Sequence, residues 1–178
     1  MAVTNLDTSI ANTSAVLQPA EHGVGFIGTE FAPRTYRRTE NGVIITQIKF
    51  DITGLISSTT DGDITALAAG AAYFGKNVVA KNGIIFKTEF TCLETPLTGI
   101  TNMDVSIMAS GALLGDADGG TDVIATGGVL LIGQTVINLI PTIPANYYYY
   151  LIAGAGGTND TYTAGQYMFT TWGHPLLT

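Results

Sequence analysis

With 178 residues, 46% of them apolar, the chain has enough material for one domain with a core of its own. Only 12% of residues are charged and the net charge is −7, which argues against a general affinity for nucleic-acid backbone. Cys92 is the single cysteine, so there is no disulfide framework, and no apolar run approaches the ~18 residues that a membrane-crossing helix needs.

Residues 1 to 20 are rich in Thr, Ser, Ala and Asn, with Asp7 the only charge, and read as an extended arm that orders only on a partner. They lack a basic region and a continuous apolar stretch, so neither a secretory signal nor a transit peptide is expected. Residues 21 to 178 read as a single β-sandwich domain. Its first segment spaces Gly23, Gly25 and Gly28 like a dinucleotide-binding fingerprint. No strand precedes them and Pro33 blocks the helix that should follow, so a short Gly-punctuated strand is the better reading, and no cofactor is expected.

Arg34, Arg37 and Arg38 follow, three of only seven basic residues, gathered around Tyr36. They form either a solvated loop or an electropositive contact for an acidic partner, Arg and Tyr being favoured at interfaces. In extended backbone Arg34 and Arg38 share a face and Arg37 points the other way.

Asn41-Gly42 marks a tight turn, since both residues tolerate positive φ. A two-faced strand comes next, with Ile44, Thr46, Ile48, Phe50 and Ile52 on one side and Gln47, Lys49 and Asp51 on the other. The pattern recurs after Asn82-Gly83. There Ile84, Phe86, Thr88, Phe90 and Cys92 alternate with Lys87, Glu89 and Thr91, which predicts two strands of one sheet. If they pair directly, Lys49 and Asp51 meet Glu89 and Lys87. Between them, Ile64, Leu67, Ala71 and Phe74 recur at helical spacing behind Asp61 and Asp63, predicting one short helix over about 63–74.

Further strands are expected over 103–109, 133–140, 146–153 and 166–172, with a Gly/Asp-rich loop over 111–128. Many short strands and one helix predict an antiparallel all-β sandwich or barrel. Tyr147, Tyr148, Tyr149 and Tyr150 would place rings on both faces of a strand. One face serves the core; the other needs cover, from a second subunit or from a sugar.

Little else suggests chemistry. Asp116, Asp118 and Asp122 offer oxygens to calcium but lack the order of an EF-hand loop. His22 and His174 lie near opposite ends of the chain without acidic or nucleophilic neighbours in sequence. Glu89 and Glu94, five apart, would face opposite ways in a regular strand. Cys92 reads as a small buried hydrophobe.

Four stretches together carry a resemblance: GFIGTEFAPRTYRRTENGVIITQIKFDITGL, DGDITALAAGAAYFGKN, NGIIFKTEFTCLETP and YYYYLIAGAGGTNDTYTAGQYMFTTWG. They resemble the jelly-roll-like decoration, or cement, proteins and accessory head proteins of tailed bacteriophages, over roughly residues 23 to 173. The resemblance implies a non-enzymatic virion protein on the capsid exterior, assembled in the host bacterial cytoplasm. Its partners would be the major capsid protein and other copies of itself, gathered as a homotrimer, with no nucleic acid, membrane or cofactor bound. An arm of some 20 residues, up to ~70 Å when extended, could then clasp a neighbour. Arg34, Tyr36, Arg37, Arg38 and Tyr147 to Tyr150 are the expected partner interface. The alternative is a carbohydrate- or receptor-binding module of a phage tail or fibre.

Overall fold

Asn41 and Gly42 both adopt positive φ (48° and 76°), the pairing a two-residue hairpin turn requires. They join β1 (Arg34–Glu40) to β2 (Val43–Asp51) in a register that sets Glu40 against Val43 and Arg34 against Lys49. In this computed structural model the described residues are 22, 23, 26, 32–58, 60–67, 70–109, 111–117, 121–139, 141–154 and 159–176. The arm of residues 1–20, Gly25, Gly28 and Asp118 therefore lie outside them.

The chain continues through β3 (Gly75–Lys76), α1 (Val79–Asn82), β4 (Ile84–Leu97), β5 (Met103–Met108) and β6 (Thr121–Ile124). It ends with β7 (Thr135–Asn138), β8 (Tyr148–Ala153) and β9 (Ala164–His174). Two antiparallel sheets result, ordered β1-β2-β9-β4-β7 and β3-β8-β5-β6. Apolar side chains from their inner faces meet between them, as in a β-sandwich. Ile48, Phe50, Phe90, Tyr167 and Phe169 of the first sheet pack on Val105, Ile107, Tyr149 and Leu151 of the second. Phe74 and Phe26 wedge beside Phe50, with ring centroids 4.6 and 5.3 Å from it.

β2 and β4 share a sheet, as the repeated pattern predicts, but β9 lies between them. Lys49 therefore neighbours Met168 and Asp51 neighbours Gln166, while Lys87 pairs along its own strand with Glu89 at 2.6 Å. The expected cross-strand ion pairs do not form because β9 pairs with both strands and separates them. The inner face of β4 also differs. A bulge between Ile85 and Lys87 turns Ile85 into the core and leaves Ile84 60% exposed. A second irregularity between Cys92 and Glu94 puts Glu94 opposite Gln166, on the same outer face as Glu89, rather than opposed to it.

The predicted helix over 63–74 is absent among the described residues of that stretch, so Asp61 and Asp63 cap no helix there. The backbone is claimed by β8 at both ends. Thr65 N–H donates to Leu151 O, Ala153 N–H to Asp63 O, and Phe74 N–H to Tyr149 O. Ile64, Ala66 and Ala72 cover the outer face of the second sheet, while Leu67 and Phe74 pack into the core between the sheets, so the apolar spacing serves two clusters and is not one helical stripe. The helix that does form, α1, is a single turn ended by Asn82-Gly83. The second Asn-Gly is thus a helix terminus, where the first is a hairpin turn.

Candidate partner interface

β1 is a strand rather than a loop, at one end of the five-stranded sheet. Its alternation separates the arginines as expected. Arg37 lies opposite Thr46 on the inner side, and its Nε donates to Asn82 Oδ1 at 3.0 Å. Thr46 Oγ1 donates to the same oxygen at 3.3 Å, and Asn82 Nδ2 donates to Lys76 O at 3.2 Å. Asn77 continues the network into Ile143 O and Pro144 O, at 3.1 and 3.0 Å. Arg37 therefore ties the edge strand to α1 and β3.

Arg34, Tyr36 and Arg38 face outward, opposite Lys49, Gln47 and Ile45. Tyr36 stands between two hollows. The larger, about 260 Å³, is lined by Ala32, Arg34, Tyr36, Lys49, Phe50, Asp51 and Gln166. The smaller, about 100 Å³, is lined by Tyr36, Arg37, Arg38, Ile45 and Gln47. Arg38 Nε reaches Glu40 Oε2 at 3.4 Å, and its Nη1 reaches Gln47 Oε1 at the same distance. Asp51 Oδ1 accepts from Thr53 N–H at 2.8 Å, which anchors that carboxylate at the rim.

Arg34 and Lys49 are directly opposed cations. Like charges facing each other across a ladder destabilise it by a few tenths of a kcal/mol. In a chain of net charge −7, they set two positive charges beside an aromatic ring, with the Asp51 carboxylate in the same hollow. Lys49, Asp51 and Gln166 escaped sequence reading because β9 and β1 reach this face from opposite ends of the chain. Only the register reveals it.

The four tyrosines are disposed otherwise than expected. Tyr149 and Tyr150 are 1% and 0% exposed. Tyr149 faces the main core, and Tyr150 lies under Ile64, Ala66, Ala72 and Ala112. Ala112 N–H donates to Tyr150 Oη at 3.0 Å. Tyr148 is half-buried, its ring 4.6 Å from that of Tyr73 and 4.7 Å below Lys76 Nζ. Tyr147 packs against the main core. The chain itself supplies cover for Tyr150 on the second face, and Tyr148 stays half-buried. Burial raises the Tyr149 and Tyr167 hydroxyls well above the ordinary value, and pushes those of Tyr150 and Tyr162 up to about 12.

Among the described residues no group of three or more His, Cys, Asp and Glu could hold a metal ion. Asp116 Oδ2 accepts from Leu113 N–H at 2.8 Å, an internal turn contact, and Asp122 sits exposed on β6. His174 stacks on Phe86 at 4.5 Å. Cys92 is fully buried in the core, and that burial raises its thiol pKa. No helix of the described residues is long and apolar enough to cross a membrane.

No family model, curated protein or solved structure matches this chain.

Proposed function

We propose that this chain is a non-enzymatic structural protein of a tailed-phage virion, which docks on the capsid exterior through the outer face of β1. Arg34, Tyr36 and Arg38 meet acidic groups of the major capsid protein, with Lys49 reinforcing Arg34. The observation that carries the docking face is the opposed Arg34–Lys49 pair flanking Tyr36 in an otherwise acidic chain. Capsid carboxylates would accept charge-assisted hydrogen bonds from these cations.

The virion setting rests on the resemblance to phage decoration proteins, and the strand order supports the jelly-roll form that it implies. Setting β1 aside, the eight remaining strands divide four and four between the sheets as β2-β9-β4-β7 over β3-β8-β5-β6, changing sheet at every connection except β5 to β6. A chain folded as a doubled hairpin and rolled into two sheets has this order. Capsid and lectin domains both use that architecture, so the fold by itself favours neither.

Capsid binding measured across ionic strength tests the reading. Removing a desolvated arginine from a charge pair should weaken binding by roughly 2–5 kcal/mol. Arg34→Ala and Arg38→Ala should therefore lower occupancy at low salt and flatten the salt dependence. Binding equal to wild type at every salt concentration sinks it.

Tyr36 flanked by Asp51 and Gln166 also gives a ring beside a carboxylate and an amide, the groups a sugar needs. A glycan array decides between the two: specific binding lost in Tyr36→Ala favours the carbohydrate-binding module.

A further inference from the structure

The chain holds two Asn-Gly pairs, Asn41-Gly42 and Asn82-Gly83, and the fold treats them in opposite ways. An asparagine followed by glycine can react with its own backbone, because glycine carries no Cβ to hinder the attacking nitrogen. Asn41 and Gly42 are exposed at the tip of the β1–β2 hairpin. Nothing lies within 4 Å of where a Gly42 Cβ would be, so the tip can turn without displacing a neighbour. The ladder closes on Glu40 and Val43, which leaves the Gly42 N–H outside its hydrogen bonds.

Asn82 and Gly83 are buried, and both reacting groups are held. Asn82 Oδ1 accepts from Arg37 Nε at 3.0 Å and from Thr46 Oγ1 at 3.3 Å, and its Nδ2 donates to Lys76 O at 3.2 Å. Gly83 N–H donates to Val79 O at 2.8 Å. Bringing that nitrogen onto Asn82 Cγ would break these bonds together and strand buried polar groups. A Cβ built at Gly83 would collide with His174 O, so the backbone there has no room to swing.

We propose that Asn41 is a site of spontaneous deamidation and that the fold protects Asn82 from the same reaction. Gly42 N gives up its proton and attacks Asn41 Cγ. As the new N–Cγ bond closes a succinimide ring, the Cγ–Nδ2 bond breaks and the side-chain nitrogen leaves as ammonia with that proton. Water then opens the ring on either side. Attack at Cγ yields aspartate; attack at the main-chain carbonyl carbon yields isoaspartate, whose backbone runs through the side-chain methylene. Aspartate tolerates the positive φ of this position, 48°, and keeps the hairpin. Isoaspartate adds a backbone atom to a two-residue turn, so Glu40 and Val43 no longer fit as the closing pair and β1 loosens from that end. The reaction needs only water and proceeds whether or not this face docks on a capsid.

The full chain, aged in warm, mildly alkaline buffer, is digested with trypsin and read by mass spectrometry against an unaged control. Asn41 falls in peptide 39–49 and Asn82 in peptide 82–87. In the folded protein, peptide 39–49 should accumulate aspartate and isoaspartate while peptide 82–87 stays unchanged. In denaturant both should convert at comparable rates. Equal conversion of the two in the folded protein overturns the proposal, as does an intact Asn41 in a folded chain whose denatured form converts. Asn41→Gly cannot form the ring and suits the same turn. It should keep its fresh melting midpoint after ageing, whereas aged wild type should melt lower. An aged wild type that carries isoaspartate at position 41 and melts as before overturns the loosening of β1. None of these outcomes involves capsid binding, so this proposal and the docking reading fail separately.

Discussion

Arg37 and Arg34 are three positions apart and do different work. Arg37 donates to Asn82, which is 1% exposed and links β1, α1 and β3. Its removal takes away a charge-assisted hydrogen bond and leaves Asn82 Oδ1 to Thr46 Oγ1 alone, a loss of about 1–3 kcal/mol. Arg37→Ala should lower the midpoint of denaturant unfolding by that much, whereas Arg34→Ala should leave it nearly unmoved. Equal effects would mean that Asn82 gains nothing from the guanidinium. A second contrast lies in the core. The hydroxyl of Tyr167 is buried with no hydrogen-bond partner among the described residues. An unsatisfied buried hydroxyl costs about 1–3 kcal/mol, so Tyr167→Phe should stabilise the fold by about 1 kcal/mol in the same experiment. A destabilised phenylalanine variant would show that the hydroxyl is satisfied after all.

The glycines at the ends of elements separate two ways in which a turn can depend on its residue. Gly42 sits at φ 76° in open space, with no atom within 4 Å of where a Cβ would be. Gly42→Ala should therefore cost only the left-handed backbone strain, about 1–2 kcal/mol. At Gly173 of β9 an added Cβ would lie 2.0 Å from Asn82 O, so strand and helix end must part. Gly173→Ala should lose ~3 kcal/mol or more, or fail to fold. Thermal unfolding of the two variants checks the order, and a milder Gly173→Ala would refute the close approach. The hairpin was legible in the sequence because Asn-Gly and the period-2 alternation on either side are local signals. So were the inward residues Ile48, Phe50, Phe90 and Cys92. The 63–74 stretch was misread because its helically spaced apolar residues serve two clusters, Ile64 over the outer face of the second sheet and Leu67 and Phe74 in the main core, and what decided it was hydrogen bonding to β8. The phase of Ile84 and Ile85 was hidden for a similar reason: a bulge has no marker in the strand that bears it. The outer face of β1 was half legible. Arg34, Tyr36 and Arg38 stood out against the low charge, but Lys49 and Gln166 joined them only through pairing between strands far apart in the chain.

At the scale of the molecule, the core is closed by tyrosines whose hydroxyls burial keeps protonated. Tyr149, Tyr150, Tyr162 and Tyr167 are all nearly inaccessible, and Tyr162 Oη donates to Ile100 O at 2.6 Å. In the unfolded chain each would ionise near pH 10, while in the folded protein Tyr150 and Tyr162 hold their protons to about 12 and the other two are raised further. Groups whose folded pKa is raised contribute their stability in full below the unfolded pKa. Above it the unfolded chain binds fewer protons than the folded one, so stability falls as pH climbs toward the folded pKa. Each tyrosine contributes a slope of about 1.4 kcal/mol per pH unit. Four such slopes remove about 5.5 kcal/mol per unit, against a total stability of roughly 5–15 kcal/mol for a domain. The protein should therefore unfold cooperatively between about pH 11 and 12, with phenolate absorbance and loss of β-sheet circular dichroism rising together. Tyr167→Phe removes one of the four slopes and should move the alkaline midpoint upward. If the phenolate signal of all eight tyrosines instead rises near pH 10 while the sheet signal is intact, these hydroxyls are open to solvent and do not seal the core.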